Sequence, residues 1–207
     1  MRYDAAARNL EQLMAAAADR ASSALGRLLN AEVRVSGRQL YHGGWRQALT
    51  ESLQGRGALV TITQTAFGAE PVGVALVIEE SRTRRMLDLL MGRHGASLLP
   101  SVDAQNGARF DSFEIDALKE TANIVAGSCI AVLDRDFGLT GCSLPLVAAG
   151  MPLADTVCSL LPRASSMCVE SRLNASAYAL ELALMMSIAG PADSAAANAT
   201  QPMRSLV

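Results

Sequence analysis

Apolar residues recur at three- and four-residue spacing along two long segments of the chain. The first stripe runs over residues 10–29 and is followed by Asn30, a residue type that tolerates the left-handed conformation of a helix end. The second stripe begins after Asp111, and Glu114 stands three residues later, as in a capping box. Gly138 is placed to end it. The pattern therefore predicts two long amphipathic helices.

Strand-like patterns of alternating or β-branched residues occupy five further segments: 32–36, 58–65, 72–78, 166–173 and 176–188. Strand character also continues from the second helix through Val147. Segments 58–65 and 72–78 are predicted to form one hairpin, and segments 166–173 and 176–188 to form a second one. The turn of the second hairpin is expected at Asn174–Ala175. Ser81 is expected to cap a helix over 82–91. The glycine-rich residues 37–57 are expected to be mainly loop.

The two halves of the chain share one order of elements: long helix, strand, loop and hairpin. Placing Leu25 on Leu133 also places Asn30 on Gly138, an offset of 108 residues, and the hairpins repeat at nearly the same offset. This agreement favours an internal duplication over chance. The expected organisation is one domain with two halves and a disordered tail: 1–190 for the domain, 1–92 and 108–190 for the halves, and 191–207 for the tail.

Composition narrows the classes of function. Hydrophobic residues make up 50% and charged residues 18% of 207 residues, so most of the chain is expected to fold around a core. The formal charge of −2 argues against a dedicated nucleic-acid binder. No segment has the pattern of a secretory signal or of a membrane span, which needs roughly 20 apolar residues. A cytoplasmic protein with reduced thiols is therefore expected, and Cys129 is predicted to be a small buried hydrophobe.

One face of the second helix carries the candidate chemistry. Asp116, Glu120, Asn123 and Gly127 are spaced by four, three and four residues, so their side chains share a face. Glycine costs roughly 1 kcal/mol relative to alanine inside a helix, and asparagine is also unfavourable there. Gly127 would let another backbone or a bulky ligand approach just below Asn123. A solvated helix face with a glycine for close packing would give the same pattern.

The segment DSFEIDALKETANIVAGSCIAVLDRDFGL, residues 111–139, resembles the signature helix of the CheC/CheX/FliY phosphatases of bacterial chemotaxis. The motif of that family is Asp or Ser, three residues, Glu, two residues, Asn, and a proline about one strand later. In this sequence it is filled by Asp116, Glu120, Asn123 and Pro145. Pro145 stands one residue closer to the helix than in the family pattern.

The resemblance implies an α+β, CheC-like fold. Two pseudo-symmetric helix–strand–hairpin halves would form one continuous antiparallel sheet, with the long helices packed on one face. The implied activity is hydrolysis of the aspartyl phosphate of a CheY-like response regulator. Asn123 would orient the attacking water, Glu120 would pair with the active-site lysine of the receiver, and Asp116 and Gly127 would flank the site. The receiver supplies Mg²⁺, so no metal or cofactor of the chain's own is expected.

CheC-like proteins often carry a second copy of the motif on the first helix. The offset of 108 residues places Gln12, Ala15 and Asp19 at the positions that correspond to the candidate glutamate, asparagine and glycine. Alanine cannot position a water molecule. One active site per chain is therefore predicted.

Other functions stay open on the sequence alone. The middle domain of the flagellar switch protein FliM resembles this fold but lacks the Glu–Asn pair, so a non-catalytic protein that binds a receiver or a flagellar component is the main alternative. A CheD-like protein is a further partner that the family analogy suggests. The basic cluster of Arg82, Arg84 and Arg85 indicates a solvated face or a contact with an acidic partner. His42 and His94 are expected at the surface.

Overall fold

The computed structural model describes residues 2–42, 58–93, 110–149 and 165–189. In these ranges it contains three α-helices: α1 (Arg2–Leu29), α2 (Glu80–Leu90) and α3 (Ser112–Phe137). It also contains seven strands: β1 (Arg34–His42), β2 (Leu59–Phe67), β3 (Val72–Glu79), β4 (Gly141–Cys142), β5 (Leu146–Ala149), β6 (Ser165–Ala175) and β7 (Leu180–Ala189). All strands pair antiparallel in one sheet. The predicted α+β class is confirmed. The predicted tail lies outside the described residues.

The order of strands in the sheet is β1–β6–β7–β3–β2, and both β4 and β5 pair with the outer edge of β2. With β5 included, the order is β1–β6–β7–β3–β2–β5. If β1 is exchanged with β5, β2 with β6 and β3 with β7, the result is the same order read from the opposite edge of the sheet. Both long helices are followed by a left-handed residue, Asn30 at φ 49° and Gly138 at φ 54°. The topology is therefore compatible with two related halves, while the duplication and the proposed domain limits stay predictions.

The first strand is longer than its sequence pattern predicts. β1 continues to His42, and its part from Gly37 onward pairs with β6, so the loop predicted from residue 37 is wrong as far as residue 42. A register shift between Val35 and Gly37 interrupts the alternation on which the prediction depended. Residues 43–57 of the predicted loop lie outside the described residues.

The second hairpin reverses later than predicted. Asn174 and Ala175 belong to β6 and pair with Glu181 and Leu180, so the turn predicted at these two residues is wrong. The chain reverses instead through a short 3₁₀ helix, Ser176–Tyr178, and through Ala179, which is left-handed at φ 50°. Asparagine is common in turns, but here the pairing of two long strands overrides that local preference.

Two smaller boundaries also differ from the sequence pattern. Ser81 does not cap α2, because the N-cap is Glu79 and the Ser81 hydroxyl donates to the Glu79 carboxylate at 2.9 Å. The strand predicted after α3 is divided into β4 and β5. Pro145, which has no backbone N–H to give to a sheet, lies between them.

α1 and α3 pack on the same face of the sheet and enclose the main core. The largest fully buried side chains of this core come from all three helices and from the facing strand positions: Met14, Leu25, Ile62, Leu76, Ile78, Met86, Leu87, Leu118, Leu133 and Leu173. Burial of each such side chain contributes roughly 1.5–3 kcal/mol. One side of α3 is therefore buried in the core, and its opposite side faces outward.

Cys129 lies on α3 where this helix contacts α1. Its side chain is fully buried, and its thiol lies 3.7 Å from the carbonyl oxygen of Ala17 on α1. The prediction of a small buried hydrophobe is confirmed. Burial raises the pKa of the Cys129 thiol to about 12.

This raised pKa predicts a loss of stability in alkali. The pKa of an unperturbed thiol is about 9, whereas the folded Cys129 thiol keeps its proton until about pH 12, so each pH unit in that window removes about 1.4 kcal/mol from the free energy of unfolding. Urea unfolding of the wild type and of Cys129→Ala should show the difference in their free energies of unfolding shrinking as the pH rises above about 9. A difference that stays constant with pH would contradict the prediction.

Candidate functional site

The two ends of α3 are fixed by local interactions that the sequence predicted. The Asp111 carboxylate accepts from the Glu114 amide at 2.7 Å, and the Glu114 carboxylate accepts from the Asp111 amide at 3.0 Å, which confirms the capping box. Arg93 and Arg84 lie 3.7 and 4.0 Å from the same Glu114 carboxylate. At the other end the Gly138 amide donates to Asp134. The register of the helix face is therefore well determined.

The candidate residues lie along the outward side of α3. Asp116, Glu120 and Asn123 are exposed, whereas Leu118 and Val125 on the other side of the helix are fully buried. Gly127 is half-buried, and a Cβ built on it would meet no heavy atom within 4 Å. The structure thus brings all four residues to one accessible face, with open space at the glycine.

The two carboxylates on this face differ in their surroundings. Asp116 is paired at 3.4 Å with Lys119, the residue three positions later. Glu120 makes no hydrogen bond or ion pair with any part of the chain that the structure describes. Its charge is therefore available to a cation on another molecule. An exposed pair such as Asp116–Lys119 contributes little to stability.

Asn123 is held from below by a residue that the sequence analysis did not single out. The Gln64 side-chain amide on β2 donates to the Asn123 side-chain oxygen at 3.3 Å. Gln64 is only 3% exposed. Its signal in the sequence was the interruption of an apolar alternation, because Val60, Ile62 and Ala66 occupy the other positions on the same face of β2.

The fourth motif position lies close to the same contact. The same Gln64 nitrogen donates to the Ser143 carbonyl at 2.9 Å, and the Cys142 sulfur lies 3.3 Å from it. Ser143 is in turn bonded to Thr65 through both its amide and its hydroxyl. Pro145, two residues after Ser143, is buried. The short connection between β4 and β5 is therefore fixed beside Asn123.

Large apolar side chains are exposed on the same helix, on this connection and at the start of β5. Phe113, three residues before Asp116, is 65% exposed. Leu144 is 84% and Leu146 is 54% exposed. Phe113 stands at helical spacing in line with the candidate face, so the face combines polar groups with an apolar side chain at its amino-terminal end.

The corresponding face of α1 is occupied by an internal ion pair. Asp19 pairs with Arg38 of β1, and Arg38 also donates to the Ala15 carbonyl at 3.4 Å. Gln12 is exposed. The prediction that α1 carries no active site stays a prediction, and these contacts agree with a structural role for this face.

The basic cluster of α2 is used within the chain. Arg82 lies 3.5 Å from Glu79 and 3.7 Å from Glu181, and Arg85 donates to the Tyr178 carbonyl at 3.1 Å. Arg84, besides its contact with α3, lies over the Phe110 ring, 5.0 Å from its centroid. His42 belongs to β1. His94 lies outside the described residues.

Metal sites and membrane helices are not found in the part of the chain that the structure describes. No group of three or more His, Cys, Asp or Glu side chains there could hold a metal ion. No helix among the described residues is both long enough and apolar enough to cross a bilayer.

Comparison with known proteins identifies the fold. No protein-family model and no curated protein sequence matches the chain. Among solved structures, a CheC-like superfamily protein from Shewanella sp. PV-4 is 12% identical with a TM-score of 0.58, covering 86% of this chain and 97% of its own. FliY from Thermotoga maritima is 16% identical with a TM-score of 0.57, covering 91% of each chain.

Two further structures bear on the choice of function. CheX from Borrelia burgdorferi, solved in a complex with CheY, BeF₃ and Mg²⁺, is 14% identical with a TM-score of 0.59, covering 84% of this chain and 96% of that one. The middle domain of FliM from Vibrio alginolyticus is 12% identical with a TM-score of 0.53, covering 92% and 97%. The chain has the CheC-like fold, which confirms the predicted resemblance at the level of fold.

Proposed function

We propose that this chain, which has the CheC-like fold, is a phosphatase that accelerates hydrolysis of the aspartyl phosphate of a CheY-like response regulator in chemotaxis signalling. The observation that carries the proposal is the pair Glu120 and Asn123, exposed one helical turn apart on a helix whose ends are fixed. A CheX protein of the same fold forms a complex with CheY, BeF₃ and Mg²⁺. That complex supports a receiver domain as the partner.

The proposed reaction is attack of water on phosphorus. The bond between phosphorus and the aspartate oxygen of the receiver breaks, and the products are the free aspartate and inorganic phosphate. Such a reaction depends mainly on positioning and charge stabilisation. Because water is the nucleophile, this chain need not supply one. The Asn123 carboxamide both donates and accepts hydrogen bonds, so it can hold the water in line with the phosphoryl group.

Glu120 has the complementary role of fixing the complex. Its carboxylate is exposed and has no partner in the described chain, so it can pair with the active-site lysine of the receiver. The acidic groups of the receiver would hold the Mg²⁺. Asp116 would flank the site, and the open space at Gly127 would let the receiver backbone approach the helix.

The direct test is the decay of a phosphorylated receiver with and without this protein. Purified CheY-like receivers encoded near this protein are phosphorylated with a small-molecule phosphodonor, and the phosphate released is measured over time. The proposal expects faster decay of at least one receiver at substoichiometric protein. Receivers that bind the protein but decay at their own rate would favour the non-catalytic alternative suggested by the likeness to FliM.

Phe113 is predicted to contribute to affinity for the receiver. It is 65% exposed and lies away from the Glu120–Asn123 pair, at the start of the same face. Phe113→Ala should raise KM for the phosphorylated receiver about five- to tenfold with kcat unchanged, because a buried aromatic anchor contributes roughly 1–2 kcal/mol. Phe67→Ala, at a half-exposed phenylalanine at the end of β2, makes the same exchange and serves as a control. A fall in kcat with an unchanged KM would contradict this role.

A further inference from the structure

We propose that Gln64 is a positioning residue for catalysis: its side-chain amide holds the Asn123 carboxamide in one orientation and ties it to the β4–β5 connection. This inference rests on the proposed phosphatase function, because it assigns Gln64 a role in the same site. Gln64 itself is 3% exposed and cannot touch the receiver. It would act only through Asn123.

The donor assignment at Gln64 follows from its strongest contact. The Ser143 carbonyl, 2.9 Å away, can only accept, so the group facing it must be the Gln64 amide nitrogen. The same nitrogen lies 3.3 Å from the Asn123 oxygen. The Asn123 oxygen therefore faces the sheet, and its own amide nitrogen faces away from Gln64. Without this contact an exposed asparagine could present either end to the receiver.

The contact leaves Asn123 able to act on a water molecule. A carboxamide oxygen has two lone pairs, and Gln64 uses only one of them. The second can accept a hydrogen bond from the attacking water, while the Asn123 amide nitrogen can donate a hydrogen bond to a phosphoryl oxygen. Because Gln64 fixes the orientation of the Asn123 carboxamide before the receiver binds, the entropy cost of ordering this group does not add to the activation free energy.

The position of Gln64 also carries a cost that favours a functional explanation. Its side-chain oxygen is buried and has no hydrogen-bond partner within the described structure. A buried polar atom without a partner is destabilising, and an apolar residue at this position would continue the face formed by Val60, Ile62 and Ala66. The presence of a glutamine at this position is therefore better explained by a function than by the stability of the core.

The test is Gln64→Met, which replaces the amide by an apolar group of similar length. Tm should change by no more than a few degrees, because removal of the unpartnered oxygen offsets the loss of the donor to the Ser143 carbonyl. For the phosphorylated receiver, kcat should fall about tenfold with KM unchanged, since Glu120 and Phe113, which are proposed to bind the receiver, are not altered. In an Asn123→Ala background the same substitution should have no further effect.

A second measurement tests the contact between Gln64 and Asn123 directly, without using the reaction. In ¹⁵N NMR spectra of the free protein, the Asn123 side-chain amide, assigned from its absence in Asn123→Ala, should become more mobile in Gln64→Met. Gln39→Met, at an exposed position of β1 on the other edge of the sheet, is the matched control. Unchanged mobility of Asn123, or unchanged kcat, would overturn the inference. Changed mobility with no wild-type activity on any receiver would refute the phosphatase proposal and leave the positioning contact intact.

Discussion

Replacing Asn123 with alanine is expected to lower receiver dephosphorylation by about 100-fold or more, to the rate at which the receiver loses its phosphate alone. The reason is that a methyl group neither donates nor accepts a hydrogen bond, so nothing on the face would hold the attacking water. Positioning effects of this kind account for factors of about 10² or more in rate. The measurement is phosphate release from the phosphorylated receiver at saturating and at limiting concentrations of the variant.

The loss should not come from unfolding or from lost binding. Asn123 is exposed, and the gain of about 0.5 kcal/mol in helix propensity offsets the loss of its hydrogen bond from Gln64, so stability should change by less than about 1 kcal/mol. Asn9→Ala, at an exposed position of α1, makes the same exchange away from the site and should keep full activity. Affinity for the receiver should change little, because Glu120 and Phe113 remain. Equal decay with the wild type and Asn123→Ala would remove the proposed role of Asn123.

Replacing Gly68 with alanine is expected to destabilise the protein by about 1–3 kcal/mol. A Cβ at this position would lie 2.9 Å from the Gly138 carbonyl and 3.0 Å from both the Phe137 carbonyl and a Leu139 methyl group. Two of these neighbours are backbone atoms at the end of α3, where the Thr140 amide also donates to Phe67 at 2.7 Å. The end of the helix would have to move away from the sheet. Thermal unfolding measures the effect, at roughly 2–4 °C in Tm for each kcal/mol.

The matched control for Gly68 is the helical glycine at the site. A Cβ on Gly127 would meet no heavy atom within 4 Å, so Gly127→Ala should stabilise the protein by about 1 kcal/mol through helix propensity alone. The two substitutions are chemically identical and should shift Tm in opposite directions. A Gly68→Ala variant as stable as the wild type would show that α3 is not held against the β2–β3 turn by this close approach.

Much of the candidate site could be predicted from the sequence because its signals are local. The capping box at Asp111 and Glu114 and the left-handed Gly138 each depend on neighbours within one helical turn, and the structure confirms them. The shared face of Glu120 and Asn123 follows from helical spacing once the helix is known. Their proposed roles came from resemblance to a family, not from geometry, and await the assays above.

Strand limits were harder to predict because strands are completed by distant partners. β1 extends to His42 and β6 through Ala175 only because these two strands pair with each other and β6 with β7. No pattern within the Gly37 segment or around Asn174 contains that information. The pairing of β1 with β6 joins residues more than one hundred positions apart, and at the end of β6 the pairing with β7 extends to Ala175 and Leu180. In each case strand pairing outweighed the local preference for a loop or a turn.

By itself the sequence determined the two long helices, the carboxy-terminal end of α1, both ends of α3, the first hairpin and the polar face of α3, because caps and periodicity act over a few residues. Only the tertiary structure decided the order of the strands and the burial of Gln64 beneath Asn123. That contact joins residues 59 positions apart, and it exists because packing α3 on the sheet brings one polar group of β2 under one polar group of the helix.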